Sequence, residues 1–147
     1  MNFEELRFRR LDSGDISVVL STYCTYLREF DYEVLEDEYR PFLIEMLEQP
    51  WIIGMGGFQH HKLIAFVFGN MSFSPLLRSK ALDLFDVYVD KHLRGGDTVH
   101  MLLGNLYVHC RQLGIERIFG NAEPTTQNFF LRKGWRNSHQ SLIIYDL

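Results

Sequence analysis

The chain has 147 residues, 46% of them hydrophobic and 23% charged, with a net charge of −4, values that fit one globular domain over residues 1–147 and exclude widespread disorder. Its fifteen Lys and Arg residues are scattered, which argues against a nucleic-acid groove. No apolar run approaches the ~18 residues of a membrane span, and the charged start MNFEELRFRRL lacks the apolar core of a signal peptide, so a cytoplasmic protein is expected.

Glu5–Leu11 alternates weakly and suits a first strand. Ser13-Gly14-Asp15 then breaks the chain, and Asp15 offers an N-cap to a helix marked by Ile16, Val19, Leu20, Tyr23, Cys24 and Leu27. A second helical pattern runs from Glu36 to Glu48, with Tyr39, Phe42, Leu43, Met46 and Leu47 as its stripe; Pro41 inside it predicts a kink or a late start. Trp51–Phe58 and Leu63–Phe73 read as two strands joined by a hairpin at Gln59-His60-His61-Lys62. A strand over Ala81–Val89 follows, then a basic turn with two glycines. The next helix, Thr98–Leu113, carries Val99, Leu102, Leu103, Leu106, Tyr107, Cys110 and Leu113 and ends at Gly114. Ile115–Gly120 reads as a strand, Pro124–Lys133 as a short helix closed by Gly134, and Trp135–Leu147 as one or two final strands. This order predicts an α/β (α+β) fold with a single mixed, mostly antiparallel central sheet flanked by helices.

The segment Ala81–Leu113 carries the most chemistry. A glycine turn opening a helix aims free backbone N–H groups and the positive end of the helix dipole at one point, the physical recipe for a phosphate site. Three local sequences, VYVDKHLRGGDTVHMLL (Val87–Leu103), QNFFLRKGW (Gln127–Trp135) and the strand around Ile64–Phe73, together with the order of elements, resemble the GNAT superfamily of acyl-CoA-dependent N-acyltransferases. Within it, Asp86 ahead of Arg94-Gly95 and the triplet Asn128-Phe129-Phe130 are closest to the spermidine/spermine-type small-amine acetyltransferases.

The resemblance implies acetyl-CoA as co-substrate and direct acetyl transfer to a primary amine of a small molecule or protein. It places pantetheine and pyrophosphate against Val87, Tyr88, Val89, Arg94, Gly95, Gly96, Asp97, Thr98 and Val99, and assigns Asn128 and Phe130 to the same site. A homodimer is expected on the same ground. The family loop has the form Arg/Gln-x-x-Gly-x-Gly/Ala; laid on this chain, Arg94 is kept, Asp97 takes the first glycine and Val99 the second small residue. A carboxylate there opposes an anion, since like charges ~5 Å apart repel by roughly 1 kcal/mol in water and about 3 kcal/mol near a protein surface. As a helix cap, Asp97 would also occupy N–H groups that a phosphate uses.

The usual acid–base positions of the family fall on Phe85 and Phe130, which removes help typically worth ~10²–10⁴-fold in rate. Asp83 is the first substitute base, because strand alternation sets it on the face of Phe85, roughly 6–7 Å away. Asp86 is the second and needs a bulge, a feature relatives often carry in this strand, to reach that face. An alternative stands beside the enzyme: a non-catalytic acyl-CoA-binding or protein-interaction module with the fold retained.

The acidic run Glu29, Asp31, Glu33, Glu36, Asp37, Glu38 reads most simply as a solvated surface; in amine-acetylating relatives the same region borders the acceptor site, where negative potential would gather a cationic amine. His60-His61 sits in a turn, and His92, His100 and His109 lack the i, i+4 spacing of a helical zinc pair, so no metal is expected. Phe66, Phe68 and Phe73 are expected to fill the core or line the cleft, and Cys110 to be a buried small hydrophobe.

Overall fold

The protein is described by a computed structural model covering residues 6–75, 78–121, 124–137 and 145–146. Strand β1 (Leu6–Arg10) leads through a short 3-10 turn into helices α1 (Ile16–Arg28) and α2 (Glu36–Glu48). Strands β2 (Ile52–Gln59), β3 (Lys62–Ser74) and β4 (Ser79–Val89) follow, then α3 (Thr98–Gln112), β5 (Ile115–Gly120) and α4 (Pro124–Arg132). The expected strands over Trp135–Leu147 lie largely outside the described residues.

The five described strands form one sheet in chain order, antiparallel from β1 to β4 with β5 parallel to β4. The α3 crossover accounts for that parallel pairing, which a tight hairpin cannot supply. At the β2–β3 hairpin, His60 and His61 adopt φ of 51° and 65°, the paired positive values of a type I′ turn whose twist matches the strands. The sheet is covered on both faces. Leu11, Val19, Leu20, Cys24, Leu43, Phe66, Phe68 and Tyr88 pack under α1 and α2, while Ile53, Met55, Val67, Leu82, Leu102, Leu103, Leu106 and Cys110 pack under α3.

Three local expectations are corrected. The capping group is Asp12, whose carboxylate accepts from Gly14 N–H at 2.8 Å; Asp15 turns its carboxylate back to Asp12 N–H and to Arg9 instead of capping α1. Helix α2 begins at Glu36, well before Pro41, so the proline neither delays nor ends it. Phe66 and Phe68 are fully buried as expected, whereas Phe73 is 63% exposed near the end of β3.

Candidate active site

Strand β4 opposes Asp86 to Phe68 and Leu84 to Gly69, so Phe85 is one residue too many for its partner. This bulge resets the alternation. Before it, Leu82 and Leu84 point under α3; after it, Val87 and Val89 do so, and Asp86 and Tyr88 face α1. Asp86 is thereby delivered to two phenols one helical turn apart on α1. Tyr23 donates to its Oδ2 at 2.6 Å and Tyr26 to its Oδ1 at 2.9 Å. Burial pushes the Asp86 carboxyl above its ordinary range, and the two tyrosine bonds pull it part of the way back. Both phenols are held well above their usual value, first by burial and then by the adjacent carboxylate, so they remain donors across the physiological range. Each carboxylate oxygen keeps a lone pair for a proton or a cation.

The same strand has an open edge. Pairing of β4 with β5 runs from Lys80 to Leu84 and stops at Gly120, leaving 85–89 without a β5 partner. Asp90 N–H donates to Ile64 of β3 at 2.8 Å, so alternation turns the N–H and C=O groups of Val87 and Val89 toward the open side. On that side Arg94 Nε already donates to the Val89 carbonyl at 2.8 Å. The open edge leads to Arg94–Asp97 and the start of α3, where Met101 makes the first helical bond, to Asp97. The preceding N–H groups of this turn have no intrahelical acceptor. Gly95 has φ of +85°, which only glycine adopts without strain, and a Cβ there would meet no heavy atom within 4 Å. The loop backbone is therefore uncovered, and together with the strand edge and the helix start it presents free backbone donors of the kind that hold an anion.

Asp97 occupies the N-cap position of α3 but makes no side-chain cap bond. The expected competition for N–H groups is absent; only its charge opposes a phosphate. Thr98 is buried at the helix start and Val99 half-buried against the core, so their side chains pack inward while the backbone faces the turn. Arg94 extends its guanidinium to Glu29 at the end of α1, 2.6 Å away, and lies 5.7 Å from the Tyr88 ring centre. One arginine thus ties the glycine loop, the end of β4 and α1 together.

Of the two candidate bases, Asp83 is exposed where β4 is still paired on both sides, opposite Asn70 and Phe119, and the tyrosine pair engages Asp86 alone. On α4, Asn128 is exposed and Phe130 packs edge-on to Phe129 and Trp135, whose indole N–H donates to Tyr107. Sequence reasoning missed Tyr26 and the hydroxyl role of Tyr23, and it read Glu29 only as part of the acidic run, not as the partner of Arg94. Their signal was a phenol at one position of the α1 stripe, a second phenol three residues on, and a carboxylate three further. An open groove of about 780 Å³ lies along β1, lined by Arg7, Phe58, His60 and His61 among others; no residue of β4 borders it. Cys110 is buried and its thiol is pushed up to about 11, consistent with a packing role.

The chain matches no family model, and no curated protein matches its sequence. Solved structures match its shape. A GNAT family acetyltransferase of Staphylococcus aureus superposes with a TM-score of 0.81 at 14% identity, covering 97% of this chain and 99% of that one. The fold is that of the GNAT acetyltransferases. A predicted acetyltransferase of Clostridium acetobutylicum, solved with acetyl-CoA, matches with a TM-score of 0.77 and 16% identity over 95% of this chain and 96% of its own. An aminoglycoside acetyltransferase from an uncultured soil metagenomic sample, solved with sisomicin, matches with a TM-score of 0.76 and 10% identity over 99% and 97%. Among the described residues, no helix is long and apolar enough to cross a membrane.

Proposed function

We propose that this GNAT-fold chain is a single-domain N-acetyltransferase that moves an acetyl group from acetyl-CoA to a primary amine by direct attack in a ternary complex. The observation that carries the reading is the β4 bulge, which sets a half-buried carboxylate beside the strand edge where β4 and β5 part. In this arrangement the open groups of Val87 and the Val89 N–H pair with pantetheine, and the Gly95–Val99 backbone with pyrophosphate. Asp86 replaces Asp83 as the preferred base. It attracts the ammonium, accepts its proton and leaves a neutral amine. The amine nitrogen bonds to the acetyl carbon, the carbon–sulfur bond breaks, and the second proton of the attacking nitrogen passes through water to the departing thiolate, since Phe130 cannot supply one. Proximity carries much of the rate in such a transfer.

Support comes from the neighbours solved with acetyl-CoA and with sisomicin, and from the acidic residues 29–38 around the end of α1 and start of α2, all exposed, which favour a cationic acceptor. A small amine is the preferred acceptor class, in line with the sequence likeness to spermidine/spermine-type enzymes, and the likeness to the GNAT superfamily as a whole carries the homodimer. The non-catalytic reading rests on Arg94, which is engaged by Glu29 and Val89, and on phenylalanine at 85 and 130. Thermal unfolding with acetyl-CoA, followed by an amine screen for free thiol, separates the two. A ligand at ~100 times its Kd adds about 2.7 kcal/mol of stability. A raised Tm with thiol release supports the enzyme; a raised Tm without thiol from any amine supports the binding module.

A further inference from the structure

Arg94 opens the glycine turn, yet its charge is taken up by this chain's own atoms. Its Nε donates to the Val89 carbonyl at 2.8 Å, on the strand edge that β5 leaves open, and its guanidinium continues to Glu29, 2.6 Å away. The bond to Val89 ties the base of the guanidinium to β4, so its terminal nitrogens can change partner without the arginine leaving the site. Both members of the ion pair meet water, the Arg94 side chain being 48% and the Glu29 side chain 33% exposed, which screens the pair and makes it exchangeable.

Glu29 closes α1 as its C-cap. The helix dipole and the unpaired carbonyls of a last turn favour positive charge at that end, so a carboxylate there gains from a cation beside it. Arg28, the other cation of this turn, donates to the Val34 carbonyl at 3.4 Å and leaves Glu29 to Arg94. Tyr26, one turn earlier, donates to Asp86, which sets Glu29 toward the side of α1 that serves the candidate base. An arginine at the head of a turn with free N–H groups suits an anion, and a carboxylate at a helix C-terminus suits a cation; without ligands each satisfies the other. We propose that this ion pair is a latch shared by the two substrates: the phosphates of acetyl-CoA draw Arg94 from Glu29, and Glu29 then takes the ammonium of the acceptor. The inference rests on the acetyltransferase reading for the identity of the two ligands. One ion pair is broken, two are formed, and no proton moves. Glu29 is then a specificity-determining residue for a cationic acceptor, and the two ligands favour each other's binding by the same factor in both directions.

The test is isothermal titration of the full chain with free CoA, alone and with butylamine at constant ionic strength, for the wild type, Glu29→Gln and Glu33→Gln, an exposed acid of the same run. Free CoA in place of acetyl-CoA prevents turnover during the titration. The amine is expected to tighten CoA about two- to fivefold in the wild type, the range that release of an exposed ion pair allows. Glu29→Gln is expected to bind CoA more tightly than the wild type without amine, by a similar factor, and to show no response to the amine. Glu33→Gln should behave as the wild type. CoA affinity that the amine leaves unchanged in the wild type overturns the proposal. So does an equal response in Glu29→Gln, since the amine would then act elsewhere, and so does Glu29→Gln with wild-type affinity for CoA alone. Thiol release from acetyl-CoA on amine addition, without coupling in the titration, would sink the latch and leave the transferase standing; coupling without thiol release from any amine would do the reverse.

Discussion

Tyr23→Phe removes one hydroxyl and leaves a ring of the same shape packed between Phe66 and Tyr26. What is lost is a 2.6 Å bond to the Asp86 carboxylate. Hydrogen bonds to charged groups contribute about 1.5–3 kcal/mol, so Tm at pH 7 should fall by roughly 5–10 °C for a chain of this length. The pH dependence is the sharper test. Burial holds the folded Asp86 carboxyl above its unfolded value, so this group favours the fold when protonated, and that contribution is lost as pH rises through the folded pKa. The Tyr23 bond lowers that pKa; removing it raises it further and extends the loss to higher pH. Wild type and variant should therefore diverge as pH rises and converge in acid. In an active enzyme the acid limb of the kcat/KM profile should move upward in the variant, because more of the base is protonated at a given pH. Melting curves and initial rates from about pH 4 to 8 read both effects. An unchanged Tm, or a gap that widens toward acid, would refute the coupling between Tyr23 and Asp86.

Other substitutions separate the parts of the site. Asp86→Asn should lower kcat by ~10²–10⁴-fold with acetyl-CoA affinity retained, while calorimetry at neutral pH shows stability held or raised, since a buried neutral amide replaces a charge. Glu29→Gln frees Arg94 and should tighten acetyl-CoA in a titration; an exposed ion pair contributes only ~0–1 kcal/mol, so Tm should scarcely change. Gly95→Ala places a Cβ on a backbone with φ of +85°, costing about 1–2 kcal/mol, and should weaken acetyl-CoA about tenfold by direct titration. Asp97→Gly should tighten free CoA by an amount worth about 1 kcal/mol, a gain that shrinks when the titration is repeated in high salt.

Much of the fold was legible because its elements obey short-range rules. The α3 stripe from Val99 to Cys110 has a period of 3.6 and buries Leu102, Leu103 and Leu106, and Gly114, at φ +75°, follows it as expected. The hairpin at His60-His61 was legible from its length alone, although two histidines are unusual in a turn that needs positive φ. The site was harder to read because its decisive feature is a register shift. Alternation places Asp83, Phe85, Val87 and Val89 on one face, and only pairing with β3 reveals the extra residue that moves Asp86 instead. Tyr23 looked like core because it lies on the α1 stripe, and Tyr26 lies off that stripe; their hydroxyls become meaningful once Asp86, some sixty residues away, arrives beside them. The role of Arg94 was hidden for the same reason, since its partner Glu29 lies at the far end of α1.

The most direct measurement is mass analysis of a primary-amine panel incubated with acetyl-CoA and the full chain, with free thiol followed in parallel, for the wild type and Asp86→Asn. The expected result is an N-acetylated amine formed in step with free thiol by the wild type and slowed at least a hundredfold in the variant. Equal product from both proteins would remove Asp86 from the chemistry, and no product from the wild type across the panel, with acetyl-CoA bound, would contradict the transferase itself.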